Sequence, residues 1–145
     1  MNTFLIRNAH AIATFDAVER ELRDASIFIR DNVIEAVGPA SELSQTADEV
    51  IDASNCVVTP GLVNTHHHMY QSLTRAIPGV QDAELFTWLK GLYPIWARMT
   101  PDMVHTSALT AMAELLLSGC TTSSDHLYLF PNGSKLDDTI AAAGQ

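Results

Sequence analysis

The sequence reads Thr59-Pro60-Gly61-Leu62-Val63-Asn64-Thr65-His66-His67-His68 at its most informative point. The Pro-Gly pair, followed by an apolar run, predicts a β-strand that starts near Leu62 and ends at His68. Because side chains alternate between the two faces of a strand, His66 and His68 point to one side and His67 to the other. Two neutral imidazoles that converge from one strand end provide half of a site for a first-row metal ion.

The histidine run has two alternative explanations. Histidine tags are longer and lie at chain ends, whereas this run is internal and follows a strand pattern. A structural His-x-His without a metal stays open as an alternative, because short motifs also arise by chance. A position at the carboxyl end of a strand favours catalytic metal binding, since that end carries the chemistry in parallel barrels.

A long helix is predicted between Thr100 and Gly119. Thr100 suits the N-cap, Pro101 suits the first helical position, and Gly119 provides a stop. Apolar residues recur along this segment at helical spacing and predict a buried stripe. The stripe consists of Val104, Ala108, Met112, Leu115 and Leu116.

The other segments after residue 60 alternate between helix and strand patterns. Residues 83–99 are rich in aromatic side chains, and Gly91 and Pro94 are expected to interrupt them. A second strand is predicted at 121–125, and another helix begins near Lys135. Strand, helix and strand in this order predict a parallel βαβ unit.

These patterns predict an α/β fold with two parts. Residues 1–58 contain five or six short strand patterns, including a hairpin at Asp31-Asn32, and are assigned to the N-terminal part of a small β-sandwich. Residues 59–145 are assigned to the start of a (β/α)8 barrel. Since a complete barrel needs about 250 residues, this part has room for about two of the eight units and is expected to be truncated.

Several motifs together resemble the amidohydrolase superfamily. Residues 60–68 resemble the metal motif on the first barrel strand of that superfamily. Met69-Tyr70-Gln71, Phe86-Thr87-Trp88-Leu89 and the run from Ser118 to His126 extend the resemblance to the purine and triazine aminohydrolases. The resemblance implies a metal-dependent hydrolase of non-peptide carbon–nitrogen bonds that deaminates an aromatic heterocycle, such as 8-oxoguanine, by a metal-bound hydroxide.

The resemblance also implies roles for individual residues. His66 and His68 are expected to bind Zn²⁺, with Fe²⁺ as the alternative. Gln71, Trp88 and His126 are expected to contact the substrate: Gln71 through its carboxamide, Trp88 by stacking and His126 by a hydrogen bond. In the superfamily the remaining metal ligands and the proton shuttle lie on later strands, so no catalytic residue is assigned within this chain, and these residues alone are expected to be inactive.

Composition restricts the partners. Eight basic against 17 acidic residues give a net charge of −9, which argues against nucleic acid and anionic membranes. Two cysteines imply no disulfide framework, and no run approaches the length of a membrane span. A cytoplasmic protein acting on a small heterocyclic amine is expected, and a homo-oligomer is conceivable.

Other functions stay open from sequence alone. Within the same class, the substrate could be a hydroxytriazine, guanine or an adenosine-type compound. From a different class, the chain could be a non-catalytic metal-binding piece. A small sandwich with a helical appendage and no metal would require His66 and His68 to be incidental.

Overall fold

The computed structural model describes residues 2–44 and 46–145. The chain divides into two compact units, Met1–Pro60 and Gly61–Gln145.

The first unit is a mixed β-sheet. Its strands form the order β3-β2-β1-β4, and β5 also pairs with β1. The pairs β1–β2 and β2–β3 are antiparallel, whereas β4 and β5 run parallel to β1. The strands are β1 (Thr3–Ala13), β2 (Glu21–Arg30), β3 (Val33–Pro39), β4 (Glu49–Asp52) and β5 (Val57–Val58), and a 3-10 turn covers Ala40–Glu42.

The hairpin prediction at Asp31-Asn32 is confirmed, because β2 and β3 flank these two residues in antiparallel register. Among the short strand patterns of residues 1–58, those at residues 4–6 and 11–13 form one continuous strand, β1, rather than two. A register shift between Ile6 and Ala9 accommodates an irregularity at Asn8, whose φ is 58°. The strands in the described part of this unit belong to one sheet, so the assignment to a β-sandwich stays a prediction.

The second unit combines two parallel strands with three helices. Strands β6 and β7 pair in parallel, with Leu62 opposite Cys120 and Asn64 opposite Ser123. Short 3-10 segments cover Met69–Thr74, Pro78–Val80 and Pro131–Gly133. The regular elements are β6 (Leu62–Asn64), α1 (Leu85–Trp96), α2 (Pro101–Leu117), β7 (Cys120–Ser123) and α3 (Leu136–Ala143).

Helix α2 confirms the predicted start and stop. The Thr100 side chain accepts a hydrogen bond from the Met103 amide at 3.3 Å, and Gly119 adopts a φ of +85° beyond the helix end. The predicted stripe is correct at Val104 and Ala108 but wrong at Leu116, which is 66% exposed. Ser107 and Ala111 are buried instead. The buried face of the helix is therefore rotated away from Leu116, toward Ser107 and Ala111.

The expected interruption of residues 83–99 is wrong, since α1 continues through both Gly91 and Pro94. Gly91 lies against Val80: a Cβ at this position would come within 2.2 Å of the Val80 side chain. This glycine is therefore required by close packing rather than by a helix end. Pro94 lies near the carboxyl end of the helix, where the structure tolerates the missing amide.

The core of the second unit is aromatic. Trp96 is fully buried and contacts the rings of Tyr70 and Trp88 at centroid distances of 5.4 and 5.3 Å. Leu92, Met99 and Val104 complete this cluster. None of the helices in the described ranges is long and apolar enough to cross a membrane.

Candidate metal and substrate site

Strand β6 is shorter than predicted, and its histidines lie beyond its end. The expected strand to His68 is wrong, because β6 ends at Asn64. The Asn64 side chain accepts a hydrogen bond from the His66 amide at 3.0 Å, so a local bond replaces the next ladder bond. The rings of His66 and His68 do meet, as predicted. The reason differs from the predicted one, because both residues lie beyond the strand and alternation does not orient them.

The segments that leave β6 and β7 run beside each other. The Ser124 amide donates to the Asn64 carbonyl at 3.0 Å, and the His126 amide donates to the His67 carbonyl at 2.8 Å. The Ser124 hydroxyl also donates to the Thr65 carbonyl at 2.7 Å. These bonds continue the pairing beyond the strands and bring His126 next to the histidine run.

His66, His68 and His126 form one cluster of imidazoles. The Nε2 atoms of His66 and His68 are 3.2 Å apart, and one nitrogen of each ring lies within 4.8 Å of the others. Two ligands about 2.05 Å from a tetrahedral Zn²⁺ are separated by about 3.3 Å. The His66–His68 spacing therefore fits a shared ion.

The backbone fixes the tautomer of His68. Its Nδ1 lies 2.9 Å from the carbonyl oxygen of His126. Because a carbonyl only accepts, Nδ1 carries the proton and Nε2 presents a lone pair toward His66. A ring nitrogen held in this way is the usual arrangement of a metal-binding histidine.

Gln71 lies in the 3-10 segment Met69–Thr74, beside this cluster. It lines one shallow pocket with His66, His68 and Arg75, and a neighbouring pocket with Trp88. Gln71 therefore lies between the histidines on one side and the pocket that Trp88 lines on the other. Trp88 is half-buried and also packs on Trp96, so it contributes to both the core and the pocket wall.

The segment that carries Gln71 is anchored from two helices. Ser107 in α2 donates to the Met69 carbonyl at 2.8 Å and accepts from the Leu73 amide at 3.1 Å. The Trp96 indole in α1 donates to the Thr74 hydroxyl at 2.9 Å. These buried and part-buried hydrogen bonds hold the segment at both ends.

Two acidic residues near the site have structural partners. Asp125 accepts a hydrogen bond from the Met69 amide at 3.0 Å. Glu114 pairs with Arg75 at 2.7 Å, and the hydrogen bond from Arg75 lowers the pKa of Glu114. An ion-paired carboxylate with a lowered pKa is a poor proton donor, so Glu114 is not a candidate general acid.

Tyr128 is the residue that sequence analysis missed. Its ring contacts the His68 ring at a centroid distance of 5.2 Å, and its hydroxyl accepts from Gln71 Nε2 at 3.2 Å. It follows His126 by two residues, so period-two alternation along an extended chain could have indicated that both side chains share a side.

Comparison with known proteins identifies related sequences. A sequence model described as "Amidohydrolase family" matches residues 57–143. The chain is 47% identical to an 8-oxoguanine deaminase from Pseudomonas aeruginosa, over 92% of this chain and 29% of that protein. It is 35% identical to a 5'-deoxyadenosine deaminase from Methanosarcina barkeri, over 93% of this chain and 30% of that protein.

A solved structure shows the same fold. The atrazine chlorohydrolase from Arthrobacter aurescens, crystallised with zinc, is 36% identical and superposes with a TM-score of 0.88 over 97% of this chain and 33% of that chain. The chain described here belongs to the amidohydrolase family. It spans about a third of the length of these relatives.

Proposed function

We propose that the protein containing this chain is a zinc-dependent aminohydrolase that deaminates an aromatic heterocycle. Water adds to the ring carbon that bears an exocyclic amine, ammonia leaves, and the ring carbon becomes a carbonyl. The observation that carries this proposal is the 3.2 Å approach of two imidazole nitrogens, one of them with its tautomer fixed by a carbonyl. Family membership supports the reaction class.

The residues of this chain hold and orient the reactants. His66 and His68 would bind the ion, and Zn²⁺ in such a site supplies a Lewis acid that makes water acidic near neutral pH. His126, beside the His66 ring at a centroid distance of 4.8 Å, would contact the substrate. Gln71 and Trp88 would contact the edge and the face of the ring. Residues outside this chain would complete the metal site and transfer protons, as the family resemblance implies.

8-Oxoguanine is the proposed substrate, supported by the 47% identical deaminase from Pseudomonas aeruginosa. An adenosine-type substrate is the second candidate, because a 5'-deoxyadenosine deaminase is 35% identical over a similar length. The (β/α)8 barrel with a preceding sandwich, the cytoplasmic location and a homo-oligomeric state belong to the same proposal.

The test measures ammonia release from a panel of aminopurines, adenosines and aminotriazines by the full-length protein, with zinc quantified in the same samples. We expect release from one chemical class together with bound zinc, and the fastest release from 8-oxoguanine. Bound zinc without ammonia would move the reaction to another hydrolysis. A protein without bound metal would overturn the metal assignment.

A further inference from the structure

Three polar side chains beside the histidine cluster, those of Gln71, Tyr70 and Tyr128, are connected by hydrogen bonds. Gln71 Nε2 lies 3.1 Å from the hydroxyl of Tyr70 and 3.2 Å from the hydroxyl of Tyr128. The rings of Tyr70 and Tyr128 meet edge to face at a centroid distance of 5.5 Å. The amide nitrogen of Gln71 thus lies between two phenols.

The chemistry of these groups gives the network a direction. An amide nitrogen has two hydrogens and only donates, so both are directed to the phenol oxygens. A phenol oxygen that accepts such a hydrogen bond still carries its own O–H, so the Tyr128 hydroxyl keeps a proton for another partner.

Two unused groups result from this arrangement. Among the residues that the structure describes, no donor bonds to the Oε1 atom of Gln71, which is left as an acceptor, and the hydroxyl of Tyr128 is left as a donor. Tyr70 is 1% exposed, whereas Tyr128 is 42% exposed, so the free donor belongs to the residue that a ligand can reach. An adjacent acceptor and donor complement a lactam edge, in which a ring N–H lies next to a carbonyl.

We infer that Gln71 and Tyr128 together recognise a lactam edge of the heterocycle, and that Tyr128 is a specificity-determining residue. This inference rests on the proposed function, because it concerns the substrate of the same site. Gln71 Oε1 accepts the ring N–H, and the Tyr128 hydroxyl donates to the neighbouring carbonyl. Amino heterocycles with a lactam are then preferred over those without one, such as adenosines.

Packing alone is the competing explanation for Tyr128. Its ring contacts both His68 and Tyr70, so it could serve only as an aromatic wall. The two explanations differ in the atom that matters. A wall needs the ring, whereas recognition needs the hydroxyl.

The experiment removes only the hydroxyl, with Tyr128→Phe in the zinc-loaded full-length protein. Tyr93→Phe is the matched control, since Tyr93 is also 42% exposed, lies on α1 and packs its ring on Trp96. Loss of one neutral hydrogen bond is expected to raise KM for lactam substrates about fivefold, with kcat nearly unchanged. KM for a non-lactam aminopurine should stay constant, and Tyr93→Phe should change neither value.

A binding measurement separates this inference from the proposed function. Calorimetry compares hypoxanthine, which has a lactam edge but no exocyclic amine, with purine, which has neither. We expect Tyr128→Phe to raise the dissociation constant for hypoxanthine about fivefold and to leave that for purine unchanged. An equal loss of affinity for both ligands, or no loss for either, would overturn the inference even in an active deaminase. Weaker hypoxanthine binding by Tyr128→Phe, in a protein that releases no ammonia, would support the inference and refute the deaminase proposal.

Discussion

The two units of this chain obtain their order from different interactions. In the first unit, long runs of backbone pairing fix the strands, as in the register from Thr3 opposite Arg30 to Ala13 opposite Glu21. In the second unit, the paired strands are only three and four residues long. Hydrogen bonds between side chains and backbone position the histidines and Gln71 there. Regular structure thus builds the first unit, and local side-chain chemistry builds the candidate site in the second.

The two cores differ in the same way. Small and β-branched residues fill the core of the first unit, where Ala9, Ala25 and Ala53 accompany Ile12 and Ile27. The core of the second unit contains Trp96 and Tyr70, whose polar atoms also form hydrogen bonds. A substitution in the second core consequently affects packing and site geometry together.

Replacement of both His66 and His68 by alanine should have the largest effect. We expect the full-length protein to lose its bound zinc and with it essentially all turnover, because two ligands of the ion are removed. Zinc per protein chain, measured by mass spectrometry after gel filtration, checks this result. His10→Ala is the matched control, because His10 is an exposed histidine on β1 of the first unit.

A second control separates ligand from substrate contact within the histidine cluster. His126→Ala should keep zinc near the wild-type stoichiometry and lower kcat/KM. Zinc loss in this variant would make His126 a ligand, and full zinc retention after loss of His66 and His68 would refute the metal assignment.

Trp96→Ala should have the next largest effect, a loss of about 3–5 kcal/mol in unfolding free energy. The fully buried indole leaves a cavity, and Thr74 loses its hydrogen-bond donor. Because Thr74 ends the segment that carries Gln71, KM should rise as well. Urea unfolding followed by circular dichroism, together with KM, measures both effects.

Ile12→Val in the first unit provides the comparison for Trp96→Ala. Deleting one buried methylene there is expected to cost about 1 kcal/mol and to leave KM unchanged. Similar KM changes in the two variants would contradict a core in the second unit that specifically supports the site.

The smallest expected effect is on the melting temperature at acidic pH, where one exposed ion pair of each unit is compared. A hydrogen bond from Arg20 lowers the pKa of Asp16 from 3.8 to about 2. A lowered pKa in the folded state contributes stability above the ordinary value, and this contribution is lost as pH falls from about 4 to about 2. Asp16→Asn should therefore flatten the fall in melting temperature over this range, by a small amount because the pair is exposed.

Glu114→Gln tests the corresponding pair of the second unit. Arg75 lowers the pKa of Glu114 by a hydrogen bond, so the sign of the effect is the same. Melting temperatures of wild type and both variants, recorded between pH 5 and 2, check the prediction. Parallel curves for wild type and Asp16→Asn would show that the Asp16 pair contributes nothing.

Sequence alone predicted the features that depend on local patterns. The Asp31-Asn32 hairpin and helix α2 with its Thr100 cap follow from turn and capping residues that act within a few positions. The convergence of the His66 and His68 rings was also expected from their spacing. Their roles as ligands remain predictions, as do those of Gln71, Trp88 and His126.

Features that depend on distant contacts could not be predicted. Gly91 suggested a helix break, but its reason is the Val80 side chain, which packs against it from a separate segment. The end of β6 at Asn64 depends on a choice between a ladder bond and a side-chain bond, and both fit the sequence. The network around Tyr128 requires two segments that are 57 residues apart to meet.

The anchor of His68 has a consequence for how such a site can diversify. The group that holds its ring is the main-chain carbonyl of residue 126, which every amino acid possesses. The side chain at position 126 can therefore change during evolution, or in a directed library, without removing this anchor. Mutational searches for new substrates can begin at position 126, where the orientation of the neighbouring imidazole is preserved by the backbone.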